Sequence, residues 1–335
     1  MDVLVVGGLS ILLVFGGYLF GIGARNVWRG LASPGWPSVV GSVTTSETSK
    51  TVTPSGTPHS RSTQAASVIY SADVRFTYSI GGAEYTTTTL HFGQTLGSGD
   101  SSDAELRHAR YPVGGPVRVF YKPGDPGVAA VEPGFSPEVL WLPGAGLAIL
   151  LPGVMGIILY FGMTRNADSM MGLGVGIFAS IFAAIGLMLL INGLVNFRRG
   201  HASQKWPTAP ATITYRAIDR HDTTVEDDDG FTQHAQVSAA RLVYRYEVNG
   251  IQHFGNRRRF GQLAGAGDDW ARQIAAKYPQ GKEVPVAYDP SDPNLAVLET
   301  GISNEAYWIP GVGAAFLLFA LAAFIWVVPS MSRGG

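Results

Sequence analysis

Four stretches of the chain, residues 3–22, 139–161, 170–194 and 307–328, contain no charged side chain. Each is close to or above the roughly 20 residues a helix needs to cross about 30 Å of bilayer hydrocarbon. Inside hydrocarbon only a helix or a closed barrel satisfies every backbone N–H and C=O. The runs therefore predict four transmembrane helices, and whatever lies between them is held at a membrane surface. Composition agrees: 46% of residues are hydrophobic and 15% charged, with a mean hydropathy of +0.15. The first run has no basic segment before it, and it exceeds the roughly 7–15 apolar residues of a cleavable signal, so it reads as a retained anchor.

The second constraint is that the chain is written twice. "GFSPEVLWLPGAG" at 134–146 returns as "GISNEAYWIPGVG" at 301–313, and "NVWRGLASPGWP" at 26–37 as "NFRRGHASQKWP" at 196–207. "FTYSIGG" at 76–82 matches "YRYEVNG" at 244–250, and "HFGQ" at 91–94 matches "RFGQ" at 259–262. "YPVGGPVRVFYKPGDP" at 111–126 matches "YPQGKEVPVAYDPSDP" at 278–293. The units, 1–168 and 169–335, each read helix, extramembrane domain, helix. An even number of crossings per unit sends both into the membrane in the same direction. That predicts parallel repeats about an axis near the membrane normal, rather than inverted ones, with domains 36–133 and 206–300 on one side.

Within each domain a β-branched strand follows "WP". A polar insert comes next, "TSETSKTVTPSGTPHSRSTQAAS" or "DRHDTTVEDDDGFTQHAQ", and reads as a mobile loop. "VRFTYSI" and "LVYRYEV" alternate apolar and polar and end at Gly81-Gly82 and Asn249-Gly250, dipeptides suited to tight hairpin turns. A short helix is predicted from a cap at Ser102 with Glu105 in the first copy and from Asp268 or Asp269 in the second. Two strands close each domain. The fold class expected is thus an α+β membrane protein with two tandem five-stranded β-domains. The order βββαββ is that of an oligonucleotide- or oligosaccharide-binding (OB) type barrel, with an open sheet or sandwich also compatible.

The "WP" start, the Y-x-Y strand before a glycine turn, and the "YP-x-G" to "V-x-V-x-Y-x-P-x-x-P" close resemble a bacterial membrane-protein family known only as a domain of unknown function. The likeness spans both copies. It implies architecture and carries no activity.

Few residues invite a chemical role. Arg257, Arg258 and Arg259 form a short basic run suited to an anion or a lipid headgroup, or to a solvated strand face. The acidic stretch 221–234 has neither calcium-loop nor zinc spacing. No nucleophile elbow, phosphate loop or paired-carboxylate context exists, so no catalytic residue, cofactor or metal is expected. With no cysteine, thiol chemistry is excluded. Lys plus Arg number 24 against 25 Asp plus Glu, a net charge of −1 that does not suggest nucleic acid. Trp36 and Trp206 of the "WP" motifs suit a domain core or the membrane interface. In the apolar runs, Gly17 with Gly21 and Gly172 with Gly176 have the spacing of close helix packing. Trp141 and Trp308 suit anchoring at the headgroup level. The runs lack the ionisable residues that proton relays and ion pathways use.

These features point to a non-enzymatic, membrane-anchored interaction protein, an accessory or scaffold subunit whose partners are other membrane-protein subunits and membrane lipid. A module for envelope lipid or glycan, and a hydrolase with an unrecognised site, are the alternatives. Arg25, Arg29, Arg198, Arg199 and Lys205 flank the helices on the domain side, against Arg165 and Arg333 opposite. By the positive-inside tendency the domains then face the cytoplasm of a bacterial inner membrane.

Overall fold

The computed structural model describes residues 2–54, 66–94, 97–134, 137–162, 167–226, 232–262, 265 and 267–332. Repeat one runs α1 (Asp2–Ala32), β1 (Ser38–Pro54), β2 (Ala66–Ile80), β3 (Ala83–Thr87), β4 (Gly97–Ser98), α2 (Ser101–Arg110), β5 (Pro116–Lys122), β6 (Asp125–Ala130) and α3 (Trp141–Gly162). Repeat two runs α4 (Ala167–Ser203), β7 (Thr208–Glu226), β8 (Thr232–Val248), β9 (Ile251–Gly255), α5 (Asp268–Lys277), β10 (Glu283–Asp289), β11 (Asp292–Val297) and α6 (Trp308–Ser332). Short 3-10 segments precede β1, α3 and α6.

Among the described residues, three helical segments are long and apolar enough to cross a membrane, Val6–Gly35, Phe178–Ser203 and Asn304–Ile325, and Trp141–Val154 of α3 is a shorter apolar one. Both α1 and α4 continue past the ends expected at residues 22 and 194. No helix breaker follows the apolar run, and arginines are tolerated on a solvated helix surface. α1 ends at Ala32 and α4 at Ser203, and Trp36 just beyond is extended, as the residue before a proline prefers.

The helices pack as α1 on α3, α4 on α6, and α3 on α4. The first two contacts use one set of glycines twice. A Cβ at Gly16, Gly23 or Gly146 would lie 2.6, 2.3 and 2.3 Å from Leu150, Pro143 and Phe20. At the counterparts Gly186, Gly193 and Gly313 it would meet Gly313, Pro310 and Gly186 at 2.8, 2.7 and 2.8 Å. The glycines singled out by spacing lie elsewhere. Gly17 would make only an ordinary 3.5 Å contact with Leu150, and Gly21 would meet nothing within 4 Å. Gly176 is buried, and the surroundings of Gly172 lie outside the described residues.

Each β-domain is an antiparallel sheet, ordered β3-β2-β1-β5-β6 with β4 added beside β2, and β11-β10-β7-β8-β9. The chain beyond β3 bonds to the chain beyond β6, with Val131 N and Glu132 N donating to Leu90 O at 3.1 and 2.8 Å. In repeat two, Leu298 N and Glu299 N donate to Arg257 O and Arg258 O at 3.3 and 2.8 Å. The two hairpin turns have the predicted chemistry: φ is positive at Gly81, Gly82, Asn249 and Gly250, at 59°, 84°, 54° and 78°.

The polar inserts correct the loop expectation. Ser46 to Pro54 pairs in continuous register with Val74 to Ala66, and Asp219 to Glu226 with Ala239 to Thr232. Both inserts extend the first hairpin into a long two-stranded arm, and only 55–65 and 227–231 within them lie outside the described residues. Ser and Thr carry no long apolar payload, but their β-branched or short side chains suit a solvated ribbon paired through its backbone. Ser46 is buried and bonds to His108 Nδ1 at 3.1 Å, tying the arm to α2.

The cores repeat position for position. Val43, Phe76, Tyr78, Tyr111, Val119 and Ala129 are buried together in repeat one. Ile213, Tyr244, Tyr246, Tyr278, Val286 and Ala296 occupy the equivalent places in repeat two. Buried tyrosines need a partner for the hydroxyl, and they have one: Tyr78 donates to Pro126 O at 2.6 Å, Tyr246 to Pro293 O, and Tyr244 to Ala296 O at 2.8 Å.

Two further duplicated devices join domain to helices. Ser33 and Ser203, both fully buried, donate to the carbonyls of Gly30 and Gly200. Their oxygens accept from Gly134 N and Gly301 N, each at 2.9 Å, where the chain turns back toward α3 and α6. Gly93 and Gly261, at φ 82° and 70°, allow the backbone to pass against Val139 and Ala306, where a Cβ would lie at 2.5 and 2.2 Å. The neighbouring Phe92 and Phe260 meet Trp36 and Trp206 edge-on, which places both "WP" tryptophans against the domain.

Candidate functional site

The two β-domains lie together at one end of the helices because α2 packs on β1 and β2 of its own repeat and on β7, β8 and β9 of the other. The junction is polar. Asp100 caps α2 through Ser102 N, replacing the cap expected at Ser102, and its other oxygen lies 2.5 Å from Arg241 Nη1. Arg241 Nε pairs with Asp219 Oδ2 at 3.3 Å, and Ser101 N donates to that same oxygen at 2.9 Å. One guanidinium thus holds two carboxylates from two repeats, with Asp219 only 4% exposed. Burial, with Asp103 close by, pushes the Asp100 carboxyl above the usual range in spite of Arg241. Burial and the neighbouring Asp219 carry the Tyr70 hydroxyl up to about 12. Further along α2, Asn256 Nδ2 donates to Asp103 Oδ1 at 2.8 Å, and Arg110 Nη2 to Phe254 O at 3.1 Å.

A carboxylate recurs at the base of each domain. Glu132 Oε1 accepts from Arg110 Nη1 at 2.8 Å and from the Tyr111 hydroxyl at 2.7 Å. Glu299 Oε1 accepts from Lys277 at 2.6 Å and the Tyr278 hydroxyl at 2.8 Å, while Oε2 takes Arg258 at 2.7 Å. Burial favours the neutral acid at both sites. At Glu132 the adjacent Arg110 and the Tyr111 hydroxyl outweigh it and hold the carboxyl below its ordinary value. At Glu299 the Lys277 and Tyr278 bonds, with Arg258, do the same. Burial together with the carboxylate pushes the Tyr111 hydroxyl up.

Glu132 and Arg110 border a cleft of about 270 Å³ between the domains, walled by α2 on one side and by the ends of β9 and β11 on the other. Arg107 and Arg257 also line it. The cleft combines fixed hydrogen-bond donors with cations, a pattern suited to holding an anion.

The run Arg257–Arg259 is turned inward. Arg258 lies over the Trp270 ring at 5.4 Å as well as on Glu299, Arg259 Nε sits 3.4 Å from Glu299 Oε2, and Arg257 lies over Phe260 at 5.1 Å. Only Arg257 borders the cleft. Trp141 and Trp308 open α3 and α6 and are 59% and 71% exposed. The cap of α5 falls at Gly267, with no side-chain bond, while Asp268 is held down to about 2 by the hydrogen bonds from Arg272 and Arg220. Sequence reasoning missed Asp100, Arg110, Asp219, Arg241 and Asn256, whose partners lie in the other repeat. It also missed Glu132 and Glu299, whose recurrence 167 residues apart was a usable signal.

No curated protein matches the chain. A family model described as "Domain of unknown function (DUF3592)" matches residues 39–136 and again 209–303, the two β-domains with their closing segments. The chain therefore belongs to this family and carries its domain twice in tandem.

Proposed function

We propose that the protein is a non-enzymatic, membrane-anchored scaffold, an accessory subunit that presents two joined β-domains to another membrane protein. The observation that carries this reading is the docking of α2 across both sheets, which makes one rigid platform of two duplicated domains at the end of paired apolar helices. In this reading α1, α3, α4 and α6 all cross the bilayer. Their outward faces are apolar and exposed, with Val14, Tyr18, Leu318 and Ile325 at 74, 64, 67 and 63%, as lipid contact requires. Trp141 and Trp308 sit at one headgroup depth. Each domain is an OB-like barrel: β1 pairs with β2 and β5, and the bonds from Val131 and Glu132 to Leu90 supply the closing contact. The excess of basic residues at the helix exits supports a cytoplasmic platform on a bacterial inner membrane.

Native electrophoresis of gently solubilised membranes tests the role. A scaffold subunit migrates in an assembly with a second polypeptide at fixed stoichiometry, and migration as this chain alone defeats the reading. Single cysteines at Thr53 and Thr164, introduced into a chain that has none, report sidedness with an impermeant maleimide in intact cells. Labelling at Thr164 alone supports the cytoplasmic assignment, and labelling at Thr53 alone reverses it.

A further inference from the structure

We infer that the open faces of α1 and α6 dock a second copy of this chain, with α6 of one copy lying on α1 of the other. Among the described residues the helices pack in a row, α1 on α3, α3 on α4 and α4 on α6, and the two at its ends do not pack on each other. By the repeat, α6 is the counterpart of α3 and α1 the counterpart of α4. The contact of α3 with α4 is therefore head-to-tail, and the duplicate of each of its faces is left uncovered.

On α4, Ile181, Ala184, Ile185 and Met188 form one stripe and are half-buried. The helices packed on α4 are α3 and α6, and Gly186 and Gly193 take the α6 side, so this stripe is covered by α3. Its counterparts 170 residues earlier are Ile11, Val14, Phe15 and Tyr18, all exposed, from 52% at Phe15 to 74% at Val14. The other end of the row has the same opening. Gly144, Ala145 and Ala148 of α3 are half-buried, while their counterparts Gly311, Val312 and Ala315 of α6 are exposed. One pair fixes the register. A Cβ at Gly144 would lie 3.6 Å from Met188 Sδ, whereas one at Gly311 would meet nothing within 4 Å, and Tyr18 stands in the place of Met188.

Each open face suits the other. α1 offers large side chains at three- and four-residue spacing, and α6 offers a shallow strip of Gly311 and Ala315 that admits them. Helix association in lipid is driven by such van der Waals packing, and a second copy repeats a contact that the chain already makes once. The charged domain junction does not recur there, because Gly267 offers no side-chain cap and Asp73 is paired with Arg75. The second copy is thus held by helices alone. The inference takes from the proposed function only that α1 and α6 cross the bilayer.

The chain has no cysteine, which allows a direct test. Two differently tagged full-length chains, one Tyr18→Cys and one Gly311→Cys, are co-expressed and oxidised in the membrane with copper phenanthroline. Both positions are open, and a mixed disulfide dimer is expected. Gly17→Cys in place of Tyr18→Cys should give roughly tenfold less, because a disulfide needs matched distance and direction and the counterpart of Gly17, Leu187, stays 49% exposed. Förster transfer between chains labelled at Thr53→Cys in phosphatidylcholine vesicles follows the association as lipid is added, and Gly311→Leu should weaken it roughly tenfold. No transfer at any dilution, unchanged transfer in Gly311→Leu, equal crosslinking from Gly17→Cys, or Tyr18→Cys chains that crosslink to one another as readily as to Gly311→Cys overturns the inference. A monomer that still migrates with a second polypeptide removes this inference and keeps the scaffold reading, and a dimer that migrates with no second polypeptide does the reverse.

Discussion

The helices α2 and α5 occupy the same place in the two repeats, but among the described residues α2 packs on both sheets while α5 packs on β7 and β8 of its own. The residues 167 apart explain why. Asp100, which caps α2 and grips Arg241, corresponds to Gly267, which has no side chain to offer. Asp103, which accepts from Asn256 of the other repeat, corresponds to Trp270, which is covered by Arg258 of its own. The receiving surface differs as well: Arg241 corresponds, 168 residues earlier, to Asp73, an exposed residue paired with Arg75. A head-to-tail contact that both copies could make would leave a free surface at each end and propagate beyond two copies. Here the contact is head-to-tail and is used once, because the second copy of each surface has lost the matching charge.

That comparison can be broken most forcefully in the cores. Phe76→Ala and Tyr244→Ala remove fully buried rings and should each cost about 3–5 kcal/mol. Because the domains are docked, thermal or denaturant unfolding of either variant should remain one transition. Two well-separated transitions would show that the junction contributes little.

The junction itself comes next. Arg241→Met strands Asp219 as an unpaired buried carboxylate and should destabilise by about 3–5 kcal/mol, as other broken buried pairs do. Amide exchange should then accelerate in α2 more than in α5. The counterpart Asp73→Ala is exposed and should stay within about 0.5 kcal/mol of the parent. Equal effects at the two positions would remove the asymmetry argued above.

Where the repeats agree, their variants should agree. Ser33→Ala leaves a half-buried Gly134 N–H and Ser203→Ala a buried Gly301 N–H without its acceptor, each at about 1–3 kcal/mol. A difference larger than their common value would mean that the two bolts carry unequal loads.

The smallest effect is on pH. Glu132 and Glu299 have folded-state values below their unfolded ones. Their contribution is present above the unfolded carboxylate value and is lost as pH falls through the folded one. Asp100 has the opposite sign: its raised value makes its ionisation unfavourable to folding, so acidification relieves it. Stability curves should therefore flatten on the acid limb in Glu132→Gln and steepen in Asp100→Asn. A steeper limb in Glu132→Gln contradicts the assignment.

Duplication made much of this legible without a second sequence. The hairpin turns, the antiparallel strands on either side of a short helix and the apolar helices follow from turn chemistry and periodicity. Close helix packing did not follow from spacing alone. Gly17 and Gly21 correspond to Leu187 and Ile191, whereas Gly16 and Gly23 correspond to Gly186 and Gly193, and of these two pairs the duplicated one sits where the neighbouring helix leaves no room for a Cβ. Recurrence marks where a backbone needs room, and the small-residue pattern by itself does not. The same filter passes Ser33 and Ser203, Gly93 and Gly261, and Glu132 and Glu299, and it rejects the basic run, where the first copy has Thr89, Leu90 and His91.

Polarity alone does not make the inserts loops, because a two-stranded ribbon needs paired backbones more than buried side chains. What the chain alone determined is the repeating framework: apolar runs that must be helical in a membrane, turns that only glycine or asparagine can make, and buried positions set by alternation. These are local requirements, written within a few residues of where they act. What only the tertiary structure decided is the junction and its cleft, because Asp100 and Arg241 lie 141 residues apart and nothing in the neighbourhood of either names the other. A charged residue in a loop or on a strand carries the same local signature whether it faces water or a partner domain, and the packing of α2 across both sheets is what distinguishes the two.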